Sequence, residues 1–375
     1  MDSVMTFQGT EGSDVESRVD LSGLTLEEMT RFVVEQLDER DYRAGQIYRW
    51  IHQRAASDFD QMTDLSKALR QALKARATLS PLQKDLEQRS ADGTIKYRFR
   101  TVDGKLIEAV YMPSEERKTL CVSTQAGCAM GCTFCMTATL GLQRNLTPGE
   151  IVAQVNRVNA ELKLAEAAAQ PRPLTNLVFM GMGEPLHNFD NLKKALAILQ
   201  SEDGANFSHR HITVSTVGLV PMIERFGQET DVKLAISLNA SCDEQRSKLM
   251  PINRKWNIAS LLDACRKFPL RQGRRITFEY VLMAGVNDSD EDARRLVHLL
   301  RGIPAKVNLI PYNENPGLEF HSTVERRAEA FRGILAEGNL AAFVRKNRGR
   351  DIAAACGQLA NLSPGDMRSE GAPSS

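Results

Sequence analysis

The first hydrophobic pattern along this chain is helical. In three segments, near 26–37, 43–56 and 64–76, apolar residues recur three and four positions apart, as on one face of an α-helix. Thr25 stands three residues before a glutamate at the start of the first segment, and this capping box predicts that a helix begins there. The spacing therefore predicts a small helical domain in the N-terminal part of the chain.

The pattern then changes to the two-residue period of β-strands. Residues 94–112 hold two such runs on either side of Asp103-Gly104, a strong signal for a tight turn, and predict a β-hairpin. Further on, short apolar or β-branched runs are each followed by a helical pattern. These strand candidates are residues 120–123, 176–181, 212–217, 232–238, 276–283 and 306–312. Six repeats of strand and helix predict an α/β fold with a parallel sheet, and periodicity fits a flat doubly wound sheet and an open barrel equally well.

These changes of pattern divide the chain into parts. Residues 1–19 and 362–375 are polar and lack periodicity, so we expect both to be mobile tails. Between them we expect a helical accessory domain at 20–85, a β-hairpin extension at 86–113, the α/β domain at 114–345 and a C-terminal loop at 346–361. A chain of 375 residues is long enough for one such large domain and one small one.

The amino-acid composition excludes fewer classes of protein than the hydrophobic pattern does. The chain has 48 Lys and Arg against 47 Asp and Glu, a net charge of +1, so no overall basic excess indicates a nucleic-acid partner. Local basic runs exist, such as the one from Arg345 to Arg350, but a solvated face explains each of them. No apolar run is long enough to span a bilayer, so we expect no membrane partner and a cytoplasmic location.

Three cysteines, Cys128, Cys132 and Cys135, supply three thiolates within one short loop, CAMGCTFC. Iron–sulfur clusters are held by thiolates at such short spacings, and three ligands on a four-iron cluster leave one iron open to a small molecule. The alternative is structural zinc, which takes four protein ligands, often as two separated pairs of cysteines. The other cysteines are isolated: Cys121, Cys242, Cys265 and Cys356. Without a second pair, the spacing favours one [4Fe–4S] cluster per chain.

With these motifs in place, the chain resembles a known family. The aromatic residue before Cys135 is typical of the radical S-adenosylmethionine (SAM) superfamily. Three motifs in order, GCAMGCTFC at Gly127–Cys135, GMGEP at Gly181–Pro185 and DIAAACGQL at Asp351–Leu359, resemble the dual-specificity adenine-C2 RNA methyltransferases, the RlmN family. The resemblance covers nearly the whole chain. It implies a six-unit open (β/α) partial TIM-type barrel, the radical SAM core, with a small N-terminal helical domain and a linking hairpin.

The resemblance also assigns a SAM site to the carboxyl ends of the strands, where barrels of this type place function. The assigned residues are Gly183, Glu184, Ser215, Ser237, Leu238, Asn239 and Asn313. Physical reasons support the first two, because a glycine lets the backbone approach a ligand closely and Glu184 can accept a hydrogen bond from an ammonium group. Taken alone, GMGEP is explained equally well as a plain turn.

Three further residues receive catalytic roles from the resemblance. Cys356 takes a methyl group from a first SAM, and a second SAM yields the radical that activates this carbon for addition to adenine C2. Glu108 then removes a proton from the protein–RNA adduct, and Cys121 attacks the sulfur of Cys356, which releases the RNA and leaves a disulfide. Taken alone, Cys356 is more simply an inert buried cysteine. Glu108 alone is a surface residue, a carboxylate paired with a cation, or an acid–base group.

The implied substrates are 23S ribosomal RNA, in the peptidyl transferase region, and transfer RNA, at the adenosine 3′ of the anticodon. The implied electron donor is of flavodoxin type, and we expect a monomer. Two alternatives remain: a C8-adenine methyltransferase of the antibiotic-resistance branch, and a non-catalytic iron–sulfur RNA-binding protein. The second leaves Cys121, Cys356 and Glu108 without a purpose. The sequence therefore predicts a SAM-dependent RNA adenine-C2 methyltransferase.

Overall fold

The structure is a computed structural model that describes residues 18–79, 82–166, 173–315 and 317–361, so the predicted tails lie almost wholly outside it. The helices are α1 Leu26–Arg31, α2 Tyr42–His52, α3 Lys67–Arg76, α4 Met136–Thr139, α5 Pro148–Glu166, α6 Phe189–Gln200, α7 Val220–Glu229, α8 Asp243–Leu249, α9 Ile258–Lys267, α10 Asp290–Leu299 and α11 Glu325–Glu337. The strands are β1 Val19–Asp20, β2 Ala77–Thr78, β3 Leu82–Arg89, β4 Ile95–Thr101, β5 Leu106–Pro113, β6 Lys118–Cys121, β7 Gln125–Gly127, β8 Leu142–Asn145, β9 Asn176–Phe179, β10 Ile212–Thr216, β11 Lys233–Ser237, β12 Ile276–Leu282, β13 Ala305–Pro311 and β14 Ala342–Val344. Within the described ranges, no helix combines the length and apolar character needed to cross a membrane.

The N-terminal part is helical, as the spacing predicts. α1 continues through a π-helical turn at Phe32–Gln36, and α2 and α3 lie in the other two predicted segments. The capping box is formed: the Thr25 hydroxyl accepts from the Glu28 amide at 3.3 Å, and the Glu28 carboxylate accepts from the Thr25 amide at 2.9 Å. Buried residues of these helices, such as Met29 and Ile47, join the main hydrophobic core.

A ten-stranded sheet forms the centre of the described chain, in the order β14-β13-β12-β11-β10-β9-β6-β5-β4-β3. All six predicted strands of the α/β part lie in it as β6 and β9 to β13, and they pair in parallel. β14 extends this parallel block by one strand that the sequence did not reveal. Three residues before a basic run carry too little periodicity to predict a strand.

The sheet is open, because β3 and β14 stand at its two ends in the described chain and do not pair with each other. Its parallel part is nevertheless curled. Cys121 at the end of β6 and Arg345 just after β14 line one cavity, although six strand spacings of about 4.8 Å would separate them by about 29 Å in a flat sheet. The open barrel is therefore confirmed, and the flat doubly wound sheet is excluded.

The predicted hairpin is confirmed as β4 and β5, which turn at Asp103-Gly104 with a glycine φ of +80°. A third strand, β3, pairs antiparallel with β4 and was not predicted. Its sequence, LQKDLEQR, is charged, as is common for strands at the edge of a sheet. β3 runs across residue 85, where the sequence analysis ends the helical domain, and the domain bounds stay predictions.

A second, smaller core lies beneath the cysteine loop. It consists of Cys132, Phe134, Leu249, Met250, Met283 and Tyr312. Burying a large apolar side chain contributes about 1.5–3 kcal/mol, so the packing of this cluster stabilises the position of the cysteine loop. It attaches the loop between β7 and α4 to the segments that follow α8, β12 and β13.

Candidate active site

A cavity of about 160 Å³ opens at the carboxyl ends of the parallel strands. Five of the seven residues that the resemblance assigns to SAM line it together with two cysteines of the loop: Gly183, Glu184, Ser215, Ser237, Asn239, Cys132 and Cys135. Leu238 does not line it, because its side chain is fully buried in the main core. Asn313 lines the neighbouring cavity instead. The structure thus brings most of the predicted SAM residues to one place.

The GMGEP loop after β9 is tightly fitted to β7. Gly183 has φ +98°, and a Cβ atom at this position would lie 2.5 Å from the Cβ of Gln125. The Gln125 Oε1 accepts from the Glu184 amide at 2.8 Å. Because the left-handed region favours glycine and the neighbouring strand leaves no room, this position requires glycine.

Glu184 is buried and held by backbone amides. Its Oε2 accepts from the Val217 amide at 2.9 Å, and its Oε1 accepts from the Leu186 amide at 3.0 Å. Burial raises the pKa of the carboxyl to about 7, and these hydrogen bonds oppose the rise. Within the described ranges, no cationic side chain forms an ion pair with it. The site can therefore receive a positively charged group from a ligand.

The remaining assigned polar residues are also held by the protein. The Ser215 and Ser237 hydroxyls are 3.4 Å apart across β10 and β11. Asn239 adopts a left-handed φ of +57°, and its Oδ1 accepts from the Val281 amide at 2.9 Å. Asn313 Nδ2 donates to the carbonyl of Cys356 at 3.4 Å. Asn313 therefore connects the end of β13 to the C-terminal loop.

The cysteine loop is fixed by main-chain hydrogen bonds. The Cys128 amide donates to the Gly141 carbonyl at 3.0 Å, and the Cys135 amide donates to the Cys132 carbonyl at 3.2 Å. Burial raises the pKa of the Cys128 thiol to about 12 and that of Cys132 well above its usual range. The Met136 amide donates to the Gly357 carbonyl at 2.8 Å, so the loop also contacts the C-terminal segment.

These three thiols fit a cluster better than zinc. They act on one another electrostatically, and Cys132 and Cys135 face the cavity that Glu184 lines. Nowhere in the described ranges are three or more His, Cys, Asp or Glu side chains already arranged around one metal position. A structural zinc site takes four protein ligands, whereas an iron–sulfur cluster with one open iron needs only the three cysteines of this loop.

A second cavity, of about 130 Å³, brings Cys121 and Cys356 together. Burial raises the pKa of the Cys121 thiol to about 12. Cys356 presents open surface, yet the protein around its thiol also raises its pKa. All seven cysteines lie in the described ranges and are free thiols, so the disulfide that the resemblance implies is not formed here. Both cavities are lined by Cys135, Cys356 and Gly181, so they are adjacent.

Glu108 lies on β5 and is completely buried, which excludes the surface alternative. Its Oε2 accepts from the amides of Ala360 and Asn361 at 3.1 and 3.2 Å. Its Oε1 lies 3.4 Å from Nζ of Lys96, also buried. Of the alternatives left open by the sequence, pairing with a cation is therefore the one observed.

The C-terminal segment, residues 346–361, is joined to the hairpin by hydrogen bonds. The Ser90 hydroxyl donates to Asp351 at 2.6 Å, and Arg98 donates to the Asn361 carbonyl at 2.8 Å. At its other side the Thr137 hydroxyl donates to a carbonyl of this segment at 2.6 Å. The segment carrying Cys356 thus lies between the hairpin and the cysteine loop.

Three residues of the site were missed in the sequence. Glu279 is buried in β12 and lines the first cavity; its Oε1 accepts from Asn308, and its Oε2 has no hydrogen-bond partner within the described chain. Arg345 lines both cavities, and Lys96 pairs with Glu108. The available signal for Glu279 is that it is the one charged residue of an apolar strand, whereas Lys96 alternates with arginines in β4 and carries no such signal. The basic run that begins at Arg345 was interpreted as a solvated face.

The open parallel barrel and the three-cysteine loop at its carboxyl edge define a radical SAM enzyme, and the Radical SAM superfamily model matches residues 122–297. The model of the Ribosomal RNA large subunit methyltransferase N-terminal domain matches residues 19–79. Dual-specificity RNA methyltransferase RlmN 2 of Myxococcus xanthus is 74% identical over 343 residues, 92% of this chain and 91% of that protein. The chain belongs to the RlmN family of dual-specificity RNA methyltransferases.

Two further comparisons agree. Dual-specificity RNA methyltransferase RlmN of an Anaeromyxobacter species is 60% identical over 359 residues, 96% of this chain and 95% of that protein. The crystal structure of a radical SAM methyltransferase from Sphaerobacter thermophilus superposes with a TM-score of 0.87 at 48% identity, covering 91% of this chain and 99% of that one. Membership of the radical SAM superfamily implies that the cofactors are a [4Fe–4S] cluster and SAM, as predicted.

Proposed function

We propose that this protein methylates C2 of an adenine in the peptidyl transferase region of 23S ribosomal RNA and of the adenine 3′ of the anticodon in transfer RNA. The observation that carries the proposal is the adjacent pair of cavities. One is lined by five of the seven residues assigned to SAM, the other is lined by the free thiols of Cys121 and Cys356, and Cys356 lines both. A carbon accepted by Cys356 on the SAM side is thereby already next to the second thiol.

In this proposal Cys128, Cys132 and Cys135 hold the cluster, which when bound supplies the electron that cleaves SAM. Glu184 accepts a hydrogen bond from the SAM ammonium, and its buried carboxyl gains the cation that the protein does not provide. Gly183 lets the backbone approach the same end of SAM. The other contacts of SAM are assigned to Ser215, Ser237, Leu238, Asn239 and Asn313.

Three side chains carry the transfer. Cys356 accepts a methyl group from one SAM, so that two SAM molecules are used per turnover, and its carbon joins C2 of adenine in a covalent protein–RNA adduct. Glu108 Oε1, the carboxylate oxygen without a hydrogen bond in the described chain, takes the proton from C2. Cys121 then attacks the Cys356 sulfur: an S–S bond forms, the bond from that sulfur to the transferred carbon breaks, and the electron pair left on the carbon takes up a proton as the methylated RNA is released.

We also propose that the N-terminal helical domain helps to hold the RNA. The matched family model is that of an N-terminal domain of ribosomal RNA methyltransferases. Tyr42 is exposed beneath the guanidinium of Arg43, at 4.9 Å, and Arg54 lies 4.1 Å from the ring centre of Trp50. Aromatic and arginine side chains on one surface suit unstacked bases and phosphates. Tyr48, in contrast, is core.

The setting of the reaction is proposed from the family resemblance. We expect a monomer that works in the cytoplasm and receives its electron from a flavodoxin-type donor. Size-exclusion chromatography with light scattering tests the first expectation. Reduction of the cluster by flavodoxin, compared with dithionite, tests the donor.

Nucleoside mass spectrometry tests the proposed function. The protein is reconstituted without oxygen and incubated with reductant, methyl-deuterated SAM and a fragment of 23S ribosomal RNA. We expect 2-methyladenosine that carries two deuterons, because one hydrogen is removed from the S-methyl group before the carbon is transferred. Product with three deuterons contradicts the route through Cys356. Product methylated at C8 moves the chain to the antibiotic-resistance branch, and zinc in place of iron and sulfide removes the catalytic proposal.

A further inference from the structure

Lys96 is a buried cation to which the chemistry above assigns no role. It lies in β4, and its side chain is only 2% exposed. Its Nζ is 3.4 Å from Oε1 of Glu108 and donates to the carbonyl of Ala353 at 3.2 Å. A lysine is almost never buried without a partner. Because replacing a buried ion pair by apolar groups is often neutral for stability, stability alone does not explain this one.

The second contact of Lys96 lies in the turn that leads to Cys356. Ala353 has a φ of +48°, in the left-handed region that residues with a Cβ rarely adopt. Gly349 and Gly357 on either side of it also have positive φ values. The carbonyl bound by Lys96 therefore belongs to an unfavourable backbone conformation three residues before Cys356. A buried donor at this carbonyl helps to hold the turn.

The first contact orients Glu108. The amides of Ala360 and Asn361 occupy Oε2, and Oε1 is the buried oxygen that no hydrogen bond satisfies in the described chain. The ammonium of Lys96 lies beside this second oxygen. Lys96 thus compensates the charge of the carboxylate, while one oxygen is anchored and the other is left able to accept a proton.

We propose that Lys96 is a positioning residue for RNA methylation, placing its ammonium beside Oε1 of Glu108 and, through the Ala353 carbonyl, holding the loop of Cys356 at a fixed place relative to that base. This inference rests on the proposed roles of Glu108 and Cys356. Without the ammonium, the Ala353 carbonyl loses its buried donor, so the turn that leads to Cys356 can shift relative to Glu108. A shift of about 1 Å between such groups can cost about a hundredfold in rate.

Few other charges act on this pair. Arg98, also on β4, acts on Lys96, and its guanidinium is bound to Asp85 at 2.6 Å. The C-terminal segment contributes backbone groups, from Ala353 and from the two amides that bind Glu108. β6 adds the Cys121 thiol, which is neutral below a pKa of about 12. A pH dependence that changes with Lys96 therefore reports on the Lys96–Glu108 pair.

The test is single-turnover methylation by the full-length, reconstituted Lys96→Met protein across a range of pH. We expect SAM cleavage and methylation of Cys356 to persist, while transfer to RNA falls about a hundredfold at neutral pH, a typical contribution of a general base. The acidic limb of the rate profile should move to higher pH, because the variant removes the positive charge that lies 3.4 Å from Oε1 of Glu108. Lys96→Arg should restore the position of this limb.

Two variants separate positioning from folding. Lys84→Met removes a lysine of the neighbouring strand that pairs with Glu87 at 3.0 Å on the outer edge, and it should leave the profile unchanged. Lys96→Gln keeps a donor for the Ala353 carbonyl without the charge, so it should also move the acidic limb, even if Lys96→Met does not fold. Two results for Lys96→Gln overturn the inference. One is a rate that is lower by the same factor at every pH, with the acidic limb of the profile unmoved. The other is a rate of RNA methylation equal to that of the wild type. Failure of the wild-type protein to methylate any RNA instead contradicts the proposed function.

Discussion

Two buried glutamates show how differently the two halves of the site are built. Glu184, in the loop after β9, is 2% exposed and accepts from two backbone amides. Glu108, on β5, is 0% exposed and also accepts from two amides, but it has Lys96 beside it. Burial raises the pKa of Glu184 to about 7. Glu184 thus has no cationic partner among the described residues, whereas Glu108 is paired with Lys96.

This difference separates a cofactor half from a transfer half. The cofactor half contains Glu184 and the cysteine loop, and both line its cavity. The transfer half contains Glu108, Cys121 and Cys356, and it is closed by the C-terminal segment. A residue of the cofactor half should therefore affect the binding and reductive cleavage of SAM, whereas a residue of the transfer half should affect the transfer of the carbon to RNA and leave that cleavage intact.

The largest effect is expected from removing a cysteine of either half. Cys132→Ala and Cys356→Ala should each lower RNA methylation by at least about a thousandfold, as loss of a nucleophile or of its activating group does in other enzymes. Only Cys132→Ala should also abolish reductive cleavage of SAM, because our proposal assigns the cluster to Cys132 and not to Cys356. Anoxic assays of 5′-deoxyadenosine and of methyladenosine measure both reactions.

Cys242 provides the control for this comparison, because it lies outside both cavities and matches no motif. Cys242→Ala should retain both reactions. If Cys356→Ala methylates RNA at the wild-type rate, the transfer half does not use that thiol. If it loses SAM cleavage as well, the two halves are not separable.

The same division decides how much of the site could be predicted from the sequence. Glu184 lies in GMGEP, and its partners Leu186 and Gln125 lie within two residues of GMGEP and GCAMGCTFC. The cofactor half could therefore be predicted from these two short motifs. The partners of Glu108 lie 252 and 253 residues away in the chain, and no local spacing reports such contacts. Lys96 is likewise one lysine in a strand, and only the hairpin register places it near Glu108.

The fold follows the same rule. The six strands with apolar or β-branched runs could be predicted, because each is buried in the parallel sheet. β3 and β14 stand at the two ends of the sheet, where one side of a strand faces away from its neighbours and polar residues are tolerated. Edge strands carry little periodicity, so the extent of the sheet was underestimated at both ends.

Glu184 gives the next largest effect, in the stability of the cluster-free protein. Its folded-state pKa of about 7 lies above the ordinary value of 4.5, so the folded chain keeps a proton that the unfolded chain releases between these values. The stability from this group is thus complete below pH 4.5 and is lost as pH rises through about 7. The difference in unfolding free energy between Glu184→Gln and the wild type should rise by about 3 kcal/mol from pH 4.5 to pH 8.

Urea denaturation of both proteins at several pH values measures this difference. Between pH 8 and pH 9 it should stay constant, since Glu184 is then ionised in both states, and this range serves as the internal control. A difference that does not change between pH 4.5 and pH 8 contradicts the view that the carboxyl lacks a compensating cation. The contrast between a Glu184 without a cationic partner and a Glu108 paired with Lys96 would then not hold.

Gly183→Ala tests how rigid the cofactor half is. The residue has φ +98°, and its new Cβ would lie 2.5 Å from the Cβ of Gln125, so the loop must shift. Backbone strain of this kind costs about 1–3 kcal/mol, and SAM affinity should fall about tenfold or more. Gly104→Ala is the matched control, with φ +80° and open space around it: it should lower stability but leave SAM affinity unchanged. Equal affinities for both variants would show that the loop adapts.

Asp351→Ala should have the smallest effect and should be confined to the transfer half. Asp351 accepts from the Ser90 hydroxyl at 2.6 Å and from the Ala91 amide at 3.2 Å, which joins the C-terminal segment to the hairpin. Hydrogen bonds to a charged group contribute about 1.5–3 kcal/mol, reduced here by solvent exposure, so the segment should open roughly tenfold more often. Faster hydrogen exchange at the Ala360 amide measures this opening, while SAM affinity stays the same.

Asp190→Ala, which removes a surface partner of an arginine elsewhere on the barrel, should leave the exchange rate of the Ala360 amide unchanged. Unchanged exchange in Asp351→Ala would mean that the other contacts of the segment, such as those of Glu108 and Arg98, are enough to hold it closed.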